Sequence, residues 1–500
     1  MRLTMVLLFV LLGLASSCDN VPKNESNDLP SKAKKTMDLA TEYMRSISVE
    51  GGFLWRYSTD FTMFFGEAEA TPTQAWVQSP GTPAMGFAFL RAYEVTKDPV
   101  YLTAAVEAAM ALVKGQLQSG GWDYRIEYDP EKRKDYYYRI EDSKLPKTVN
   151  ADQKNRSTYD DDNTQEALRY LMAYLNTSEK YPHTYDKQIR NALDYGLAKL
   201  LESQYPNGAW PQRWDGLPHD PSKYPVKAAS LYDDYPPEQP SGSYYGYYTF
   251  NDNSHRDLVN TLVLAWKFTG KEEYLGAAIH GLDYLLLSQL PEPQPVWAQQ
   301  YDADMHPAWA RSFEPPSITT GESVGIIEML VDYYLEFGDE KYLEPLPGAI
   351  AWFNRSKLES GEWARMYELN TNRPIYGDRD KKIHYTLEEI SEERRNGYRW
   401  QGEFGVADMI AYYDTVIRSG REKWLEEHPG FTDHENRLIN KDIPADLDLE
   451  SEVKKIIESM DGQNRWIQNS PAEGKAWITT SDYIRNMNIL SNYLQVNKSR

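Results

Sequence analysis

Five hundred residues with 41% hydrophobic and 26% charged side chains describe a globular chain with ample material for a core. A formal net charge of −21 at pH 7, with no basic stripe and no zinc-finger spacing, excludes nucleic acid as a partner. A polyanionic ligand could bind only where arginine, lysine or a bound cation reverses the local sign.

Met1-Arg2 is followed by an apolar run, Leu3 and Met5 to Leu14, and then by Ala15-Ser16-Ser17-Cys18. The run is too short for a membrane span and has the charged start and small-residue end of a secretory signal. Cys18, the one cysteine in the chain, stands directly after the small residues. Residues 1–17 therefore resemble a bacterial lipoprotein signal, with Cys18 lipidated and the protein anchored to the bacterial membrane, at the cell surface or facing the periplasm. A single cysteine excludes disulfides within the chain. Residues 18–30 are polar and Pro-containing, the composition of a tether.

From residue 31 onward, apolar positions recur at helical spacing between loops rich in Gly, Pro and aromatics. Helices are expected over 31–48, 84–95, 99–118, 165–175, 185–204, 255–268, 273–289, 321–337 and 341–354. A further helix covers 404–418, and shorter ones lie around 451–460 and 481–494. No comparable series of alternating β-branched runs exists, so the chain reads as all-α.

Four segments echo one another. Asp98-Pro-Val-Tyr-Leu leads to Gln116-Leu-Gln-Ser-Gly-Gly-Trp122, and Tyr181-Pro-His-Thr-Tyr185 to Gln204-Tyr-Pro-Asn-Gly-Ala-Trp210. Gly270-Lys-Glu-Glu-Tyr-Leu275 leads to Gln289 and Trp297, and Gly338-Asp-Glu-Lys-Tyr-Leu343 to Gly361-Glu-Trp363. Successive hairpins of this kind build an (α/α) toroid, an incomplete α/α barrel, with short β-hairpins or long loops on its active-site face. The toroid is expected over 31–420, with a helical C-terminal extension, 421–500, packed on it. Each Trp taken singly reads as an anchor of its loop. Four on one face, in a chain of 37 Tyr and 14 Trp, point to a carbohydrate cleft.

The chemistry-bearing residues fall on such loops. Asp160-Asp161-Asp162-Asn163 precedes a helix; capping explains one acid, and three beside an Asn amide make an oxygen site for a hard cation. Asn251-Asp252-Asn253 is again oxygen-rich at a helix start. Asp302 leads through His306 to Arg311, which a Pro315-Pro316 pair presents on a stiffened loop. A basic segment holds Arg373, Arg379, Arg394 and Arg395. Neither a zinc-type His/Cys cluster, a G-x-S-x-G elbow nor a P-loop is found.

The runs P-A-W-A-R-S-F-E-P-P-S, G-E-S-V-G, Y-E-L-N-T-N-R-P-I and E-R-R-N-G-Y, with Y-P-N-G-A-W-P-Q and F-N-D-N, closely resemble polysaccharide lyase family 10, the toroidal pectate lyases. The resemblance covers about residues 155–402. It implies cleavage of a uronate polymer, pectate or polygalacturonate, by calcium-assisted β-elimination that leaves 4,5-unsaturated ends. By this resemblance Arg311 takes the C5 proton and Asp252 holds Ca²⁺. An ungapped match gives Asp160 the second calcium role, whereas matching the Asp-Asn pair gives it to Asp162. Arg394 or Arg395, with Arg373 and Arg379, would clamp substrate carboxylates, and Asn251, Asp302 and Trp210 would also meet substrate. Asn253-Ser254-His255-Arg256 is more polar than the family's residues there, which opens a glucuronate or iduronate polymer such as ulvan as an alternative. Chemistry alone casts a guanidinium as a carboxylate binder and leaves Tyr301 or His306 as base. Other readings are a glycoside hydrolase using Asp252 with Asp160 or Asp302, and a non-catalytic glycan-binding lipoprotein. A monomer is expected.

Overall fold

The apolar stripes pair up as helical hairpins. In chain order the helices are α1 (Leu29–Ile47), α2 (Thr82–Thr96), α3 (Pro99–Gly115), α4 (Asn163–Ser178), α5 (Asp186–Glu202), α6 (Ser254–Thr269), α7 (Glu272–Leu287), α8 (Thr320–Phe337), α9 (Leu346–Arg355), α10 (Glu392–Gly397), α11 (Val406–Ser419), α12 (Arg421–Glu427), α13 (Leu449–Glu458) and α14 (Thr480–Lys498). This computed structural model describes residues 29–140, 154–232, 235–236, 238–433 and 447–498. The expected signal segment, Cys18 and nearly all of the tether lie outside the described residues.

An inner ring runs α14–α2–α4–α6–α8–α11, each helix packed on the next. α3, α5 and α7 each pack back on the inner helix before them, as α12 does on α11, and α13 packs on α14. The molecule is the expected all-α toroid. Burial separates the two layers. In α4 every residue except Asn176 is buried, as a helix with neighbours all round must be, whereas α5 buries one stripe, Ile189, Ala192, Leu193, Gly196, Leu197 and Leu200. Gly86 of α2 lets α4 come close: a Cβ there would stand 2.1 Å from the Tyr170 ring. Residues 447–498 belong to the ring wall. α14 packs on α1 and α2, and strand Lys475–Thr479 pairs antiparallel with Arg56–Ser58.

Short two-residue and three-residue strands gather on one face. For α2, α4, α6 and α8 the strand entering the inner helix pairs with the strand leaving the next outer one. Gln74–Trp76 pairs with Arg125–Glu127, Ser157–Thr158 with Arg213–Trp214, Tyr248–Thr249 with Gln300–Tyr301, and Ile318–Thr319 with Met366–Tyr367. The inner helices therefore all begin on this face, where their N-terminal dipoles favour negative charge.

The echoing tryptophans do not line a cleft. Trp122, Trp210, Trp297 and Trp363 are all 5% exposed or less. Each indole N–H donates to a carbonyl of the preceding helix: Trp122 to Leu112 at 2.8 Å, Trp210 to Leu200 at 3.3 Å, Trp297 to Leu285 at 2.8 Å and Trp363 to Phe353 at 2.9 Å. Trp466 does the same to Ile456 at 3.0 Å, adding a copy that sequence reading missed. Helix C-termini leave carbonyls without intrahelical partners, and the indole supplies a donor together with a large apolar face. The stacking role expected of Trp210 is thus corrected to that of a loop anchor.

Tyr301 is corrected in the same way. Its hydroxyl, fully buried, donates to Ser288 O at 2.6 Å and accepts from Ala298 N–H at 2.8 Å, and burial pushes its ionisation well up. Tyr367 repeats this latch with Ser356 O and Ala364 N–H. Tyr301 is structural and is no base.

Candidate active site

Two of the helix starts share an unusual backbone. Asp161 and Asp162 before α4, and Asp252 and Asn253 before α6, all have positive φ, between 47° and 59°. Asp and Asn tolerate this left-handed region better than other side chains, because their short polar groups bond locally. Residues held there cluster at functional sites. The two kinked turns place carboxylate oxygens of Asp160, Asp161 and Asp252 within 4.8 Å of one another.

Amides hold this cluster from behind. Asn251 Nδ2 donates to Asp160 at 2.9 Å and to Asp252 at 2.5 Å, while its Oδ1 accepts from Gln299 Nε2 at 2.9 Å. Gln212 Nε2 donates to Asp160 at 2.9 Å, and the Tyr124 hydroxyl reaches Asp160 and Asp161 at 3.3 Å. Asn251, expected to touch substrate, is a buried bridge between the two acids. Burial and mutual repulsion raise all three carboxyls. Asp160 is pushed up by burial and by Asp161, and Asp252 by burial and by Asp160. Asp161 reaches about 6 through burial, Asp252 and Glu67. Carboxylates crowded with oxygen donors and lifted in this way fit a hard divalent cation, whose charge would offset the repulsion.

Asp162 is not part of the cluster. The second positive φ turns its carboxylate to Arg169 of α4, in an ion pair. Asp162 and Asp257 both attract the Arg169 charge, and Asp257 is itself pushed up to about 7 by burial and by Asp162. Asp162, expected to hold metal, thus lies outside the group of acids that could take a cation, and Asp161 stands within it.

Arg311 faces this acid cluster. The Arg311 charge pulls the carboxyls of both Asp252 and Asp161 down, against the rise that burial causes. Its guanidinium is gripped by Glu314: Nε donates to Oε2 at 2.9 Å and Nη2 to Oε1 at 2.6 Å, while the Arg311 backbone N–H adds a bond to Oε2 at 3.1 Å. Glu314 is 2% exposed and also accepts from the Tyr398 hydroxyl at 3.0 Å. The Arg311 side chain stays 42% exposed on its open side. Burial works against the Arg311 charge, but the Glu314 carboxylate outweighs it and drives the proton affinity well up. Conversely, burial raises the Glu314 carboxyl, and the bonds from Arg311 hold it below its usual range.

Phe313 gathers more arginine. The guanidinium carbons of Arg311, Arg394 and Arg379 lie 5.1, 4.5 and 5.7 Å from its ring centroid. Gly377 makes this possible, since a Cβ there would meet the Phe313 carbonyl oxygen at 2.2 Å. Glu393 pairs with both Arg394 and Arg379, and they hold it down at about 2. The other two expected clamps lie apart from the Phe313 ring. Arg395 spends its N–H groups on the carbonyls of Leu387, Glu388 and Ile390, which makes it a brace for that turn. Arg373 stacks over Tyr385 at 3.8 Å. Asp302 lies on a neighbouring loop, accepting from the Tyr232 hydroxyl and from the backbone N–H of Asp304 and His306.

Several residues here escaped the sequence reading: Glu314, Glu322, Arg365, Tyr398, Arg156 and Arg213. Arg365 lies 4.2 Å over the Tyr398 ring, and its buried Nε has no partner among the described residues. Glu322, in the first turn of α8, is raised by burial and by Asp252, against the pull of Arg365. Arg156 and Arg213 also carry buried N–H groups without partners, and Arg213 lies 4.3 Å over Tyr245. The signal for Arg365 was in the echo itself. The residue two after each anchoring Trp is Tyr124, Gln212, Gln299 and Arg365, and the first three touch the acid loops.

Crowded acids facing a gripped arginine, at the mouth of a helical toroid, define a site for charged carbohydrate chemistry. The chain belongs to the pectic acid lyase family, whose model matches residues 126–408, and it is a polysaccharide lyase. Membership sets aside the hydrolase and binding-only readings. No curated protein matches it. Among solved structures it is similar to an alanine mutant of the family 10 polysaccharide lyase from Cellvibrio cellulosa in complex with trigalacturonic acid. That likeness has 21% identity, 67% of this chain and 98% of that one covered, and a TM-score of 0.45. The cellobiose 2-epimerase of Bacillus thermoamylovorans is 14% identical over 93% of this chain and 99% of that one, with a TM-score of 0.41.

Proposed function

We propose that the protein cleaves a uronate polymer of the polygalacturonate type by β-elimination, with Arg311 as the catalytic residue and Ca²⁺ held by Asp160, Asp161 and Asp252. The observation that carries this reading is the Arg311–Glu314 pair set against the three crowded carboxylates. Glu314 occupies Nε and Nη2, so Nη1 is the nitrogen left for the substrate.

The hydrogen at C5 of a uronate is α to a carboxylate, and its acidity depends on neutralising that carboxylate's charge. Arg394 and Arg379, grouped with Arg311 around Phe313, supply positive charge for substrate carboxylates. Arg365, with its unpartnered Nε, adds a further donor. A divalent cation on the acid cluster would add to this neutralisation and lower the proton affinity of the neighbouring Arg311. Arg311, as the neutral guanidine after losing a proton to water, takes the C5 proton and becomes guanidinium, a double bond forms between C4 and C5, and the C4–O4 bond breaks with its electron pair on O4. Water protonates the departing oxygen. Glu314 is the positioning residue that fixes the plane of the guanidinium.

Lipid attachment at Cys18 and membrane anchoring are part of the same proposal and rest on the sequence of residues 1–18. The deciding experiment follows ultraviolet absorbance of the unsaturated product on polygalacturonate, ulvan, alginate and glucuronan, for wild type and Arg311→Ala. Product from polygalacturonate, lost in Arg311→Ala and with a chelator, is expected. Cleavage without the chromophore, or an unchanged rate in Arg311→Ala, overturns the reading.

A further inference from the structure

A second cleft opens beside Arg311. The connection between strand Arg213–Trp214 and strand Tyr248–Thr249, which belong to different two-stranded sheets, is far longer than the few residues that usually join neighbouring elements, and long loops of this kind carry function. It folds over the 302–316 loop and leaves an open cleft of about 100 Å³, lined among others by Gln239, Ser243, Tyr244, Tyr247, Asp302 and Trp309.

The loop is fixed by built contacts. Trp309 Nε1 donates to Pro236 O at 3.2 Å, Gln239 Nε2 to Ala310 O at 2.5 Å, and the Tyr232 hydroxyl to Asp302. The Tyr232 ring stacks on His306 with centroids 3.8 Å apart. Tyr244 links the cleft to the reactive centre, since its hydroxyl feels the charges of both Glu314 and Arg311.

The charge of this cleft is opposite to what a uronate needs. Among the described residues its lining holds one carboxylate, Asp302, and neither lysine, arginine nor histidine. The nearest basic ring, His306, lies behind Tyr232, 3.7 Å from Asp302. Half-buried tyrosines with amide, hydroxyl and carboxylate acceptors match the flat faces and hydroxyl donors of an uncharged pyranose. A second uronate carboxylate would meet Asp302 with no cation to offset it.

We propose that this cleft is a subsite for a neutral sugar, so that the preferred substrate carries an uncharged residue next to the uronate that is cleaved. This rests on the lyase reading above. Wild type, Tyr247→Ala and Ser243→Trp are assayed on polygalacturonate and on a polymer in which galacturonate alternates with rhamnose. Wild type is expected to show a KM about tenfold lower on the alternating polymer, a difference of ~1.4 kcal/mol. Tyr247→Ala, which removes a ring, and Ser243→Trp, which fills the cleft, each raise KM on that polymer several-fold more than on polygalacturonate. Equal KM values in wild type, or equal losses on both polymers in a folded variant, overturn the subsite. Absence of unsaturated product from every uronate polymer overturns the lyase reading instead. Should Tyr247→Ala fail to fold, Ser243→Trp, at an exposed position, decides the matter.

Discussion

Glu314 holds Arg311 by two parallel hydrogen bonds of 2.9 and 2.6 Å while itself lying almost wholly out of solvent. A bidentate carboxylate both fixes the plane of a guanidinium and stabilises its charge. The two effects pull in opposite directions for a residue that must give up a proton before it can take one.

Glu314→Gln separates them. Orientation is partly kept, but the charge that raises Arg311 is gone. The expected result is a fall in kcat of about 10²-fold at neutral pH with little change in KM, from loss of alignment. The limb of the rate profile that rises as the base loses its proton should also move to lower pH. A variant that loses rate with its pH profile unmoved would show Glu314 to be a structural support alone.

The crowded acids make cation binding depend on pH in a definite sense. Asp161 sits at about 6 against the usual 3.8, so the metal-free folded protein holds a proton that the unfolded chain has lost between those values. Metal-free stability therefore falls as pH rises from about 4 to 6. Calcium should bind the ionised cluster, so the rise in Tm that it produces should be small near pH 4.5 and full above pH 6.5. A calcium effect on Tm that is the same across this range would contradict the assignment.

Arg169→Met removes the cation that pairs with half-buried Asp162 and attracts Asp257. Loss of a charge-assisted hydrogen bond of this kind costs about 1.5–3 kcal/mol. Asp257 already sits at about 7, above its unfolded value, so its protonation relieves the strain as pH falls. Urea unfolding should show the loss largest above pH 7 and smaller at pH 5.

Trp297→Phe tests whether the repeated indoles are anchors. It removes the bond to Leu285 O and strands a buried carbonyl, at a cost of about 1–3 kcal/mol. Tm should fall while KM holds. A raised KM with unchanged Tm would restore the stacking role.

Cys18→Ser tests the anchor. The wild-type protein should partition with membranes and incorporate labelled fatty acid, and the variant should do neither.

The helices and their ring were legible because buried faces impose a 3.6-residue period that propensity and polar loops do not mask. The acid loops were legible as oxygen-rich helix starts, with Asp160 and Asp252 in the group, yet which neighbour of Asp160 joins them was not. Periodicity says nothing about two successive positive φ angles, and those angles exchange Asp162 for Asp161. Trp210 was misread for a related reason: an aromatic on a repeating loop has the same sequence signature whether it faces a sugar or plugs a helix end. Glu314 and Arg365 were visible as letters, but nothing in the sequence showed that Tyr398 reaches both of them, donating to Glu314 and lying under Arg365. Tyr398 and Arg311 meet on Glu314, and Gly377 lets its strand lie against Phe313 beside them.

The kinked turn before α4 and α6 occurs a third time, before α11, where Phe404 and Gly405 also have positive φ. There the slot filled elsewhere by Asp161 and Asp252 holds a phenyl ring. The backbone is thus close to rotationally symmetric while its charge is not, with carboxylates over one arc of the mouth and guanidiniums over another. A polysaccharide has a direction, from its non-reducing to its reducing end, and a mouth whose charge differs around its rim distinguishes the two senses. The break at Phe404 marks one arc of a ring of otherwise similar hairpins, so the rim carries an orientation that the repeated backbone alone would lack.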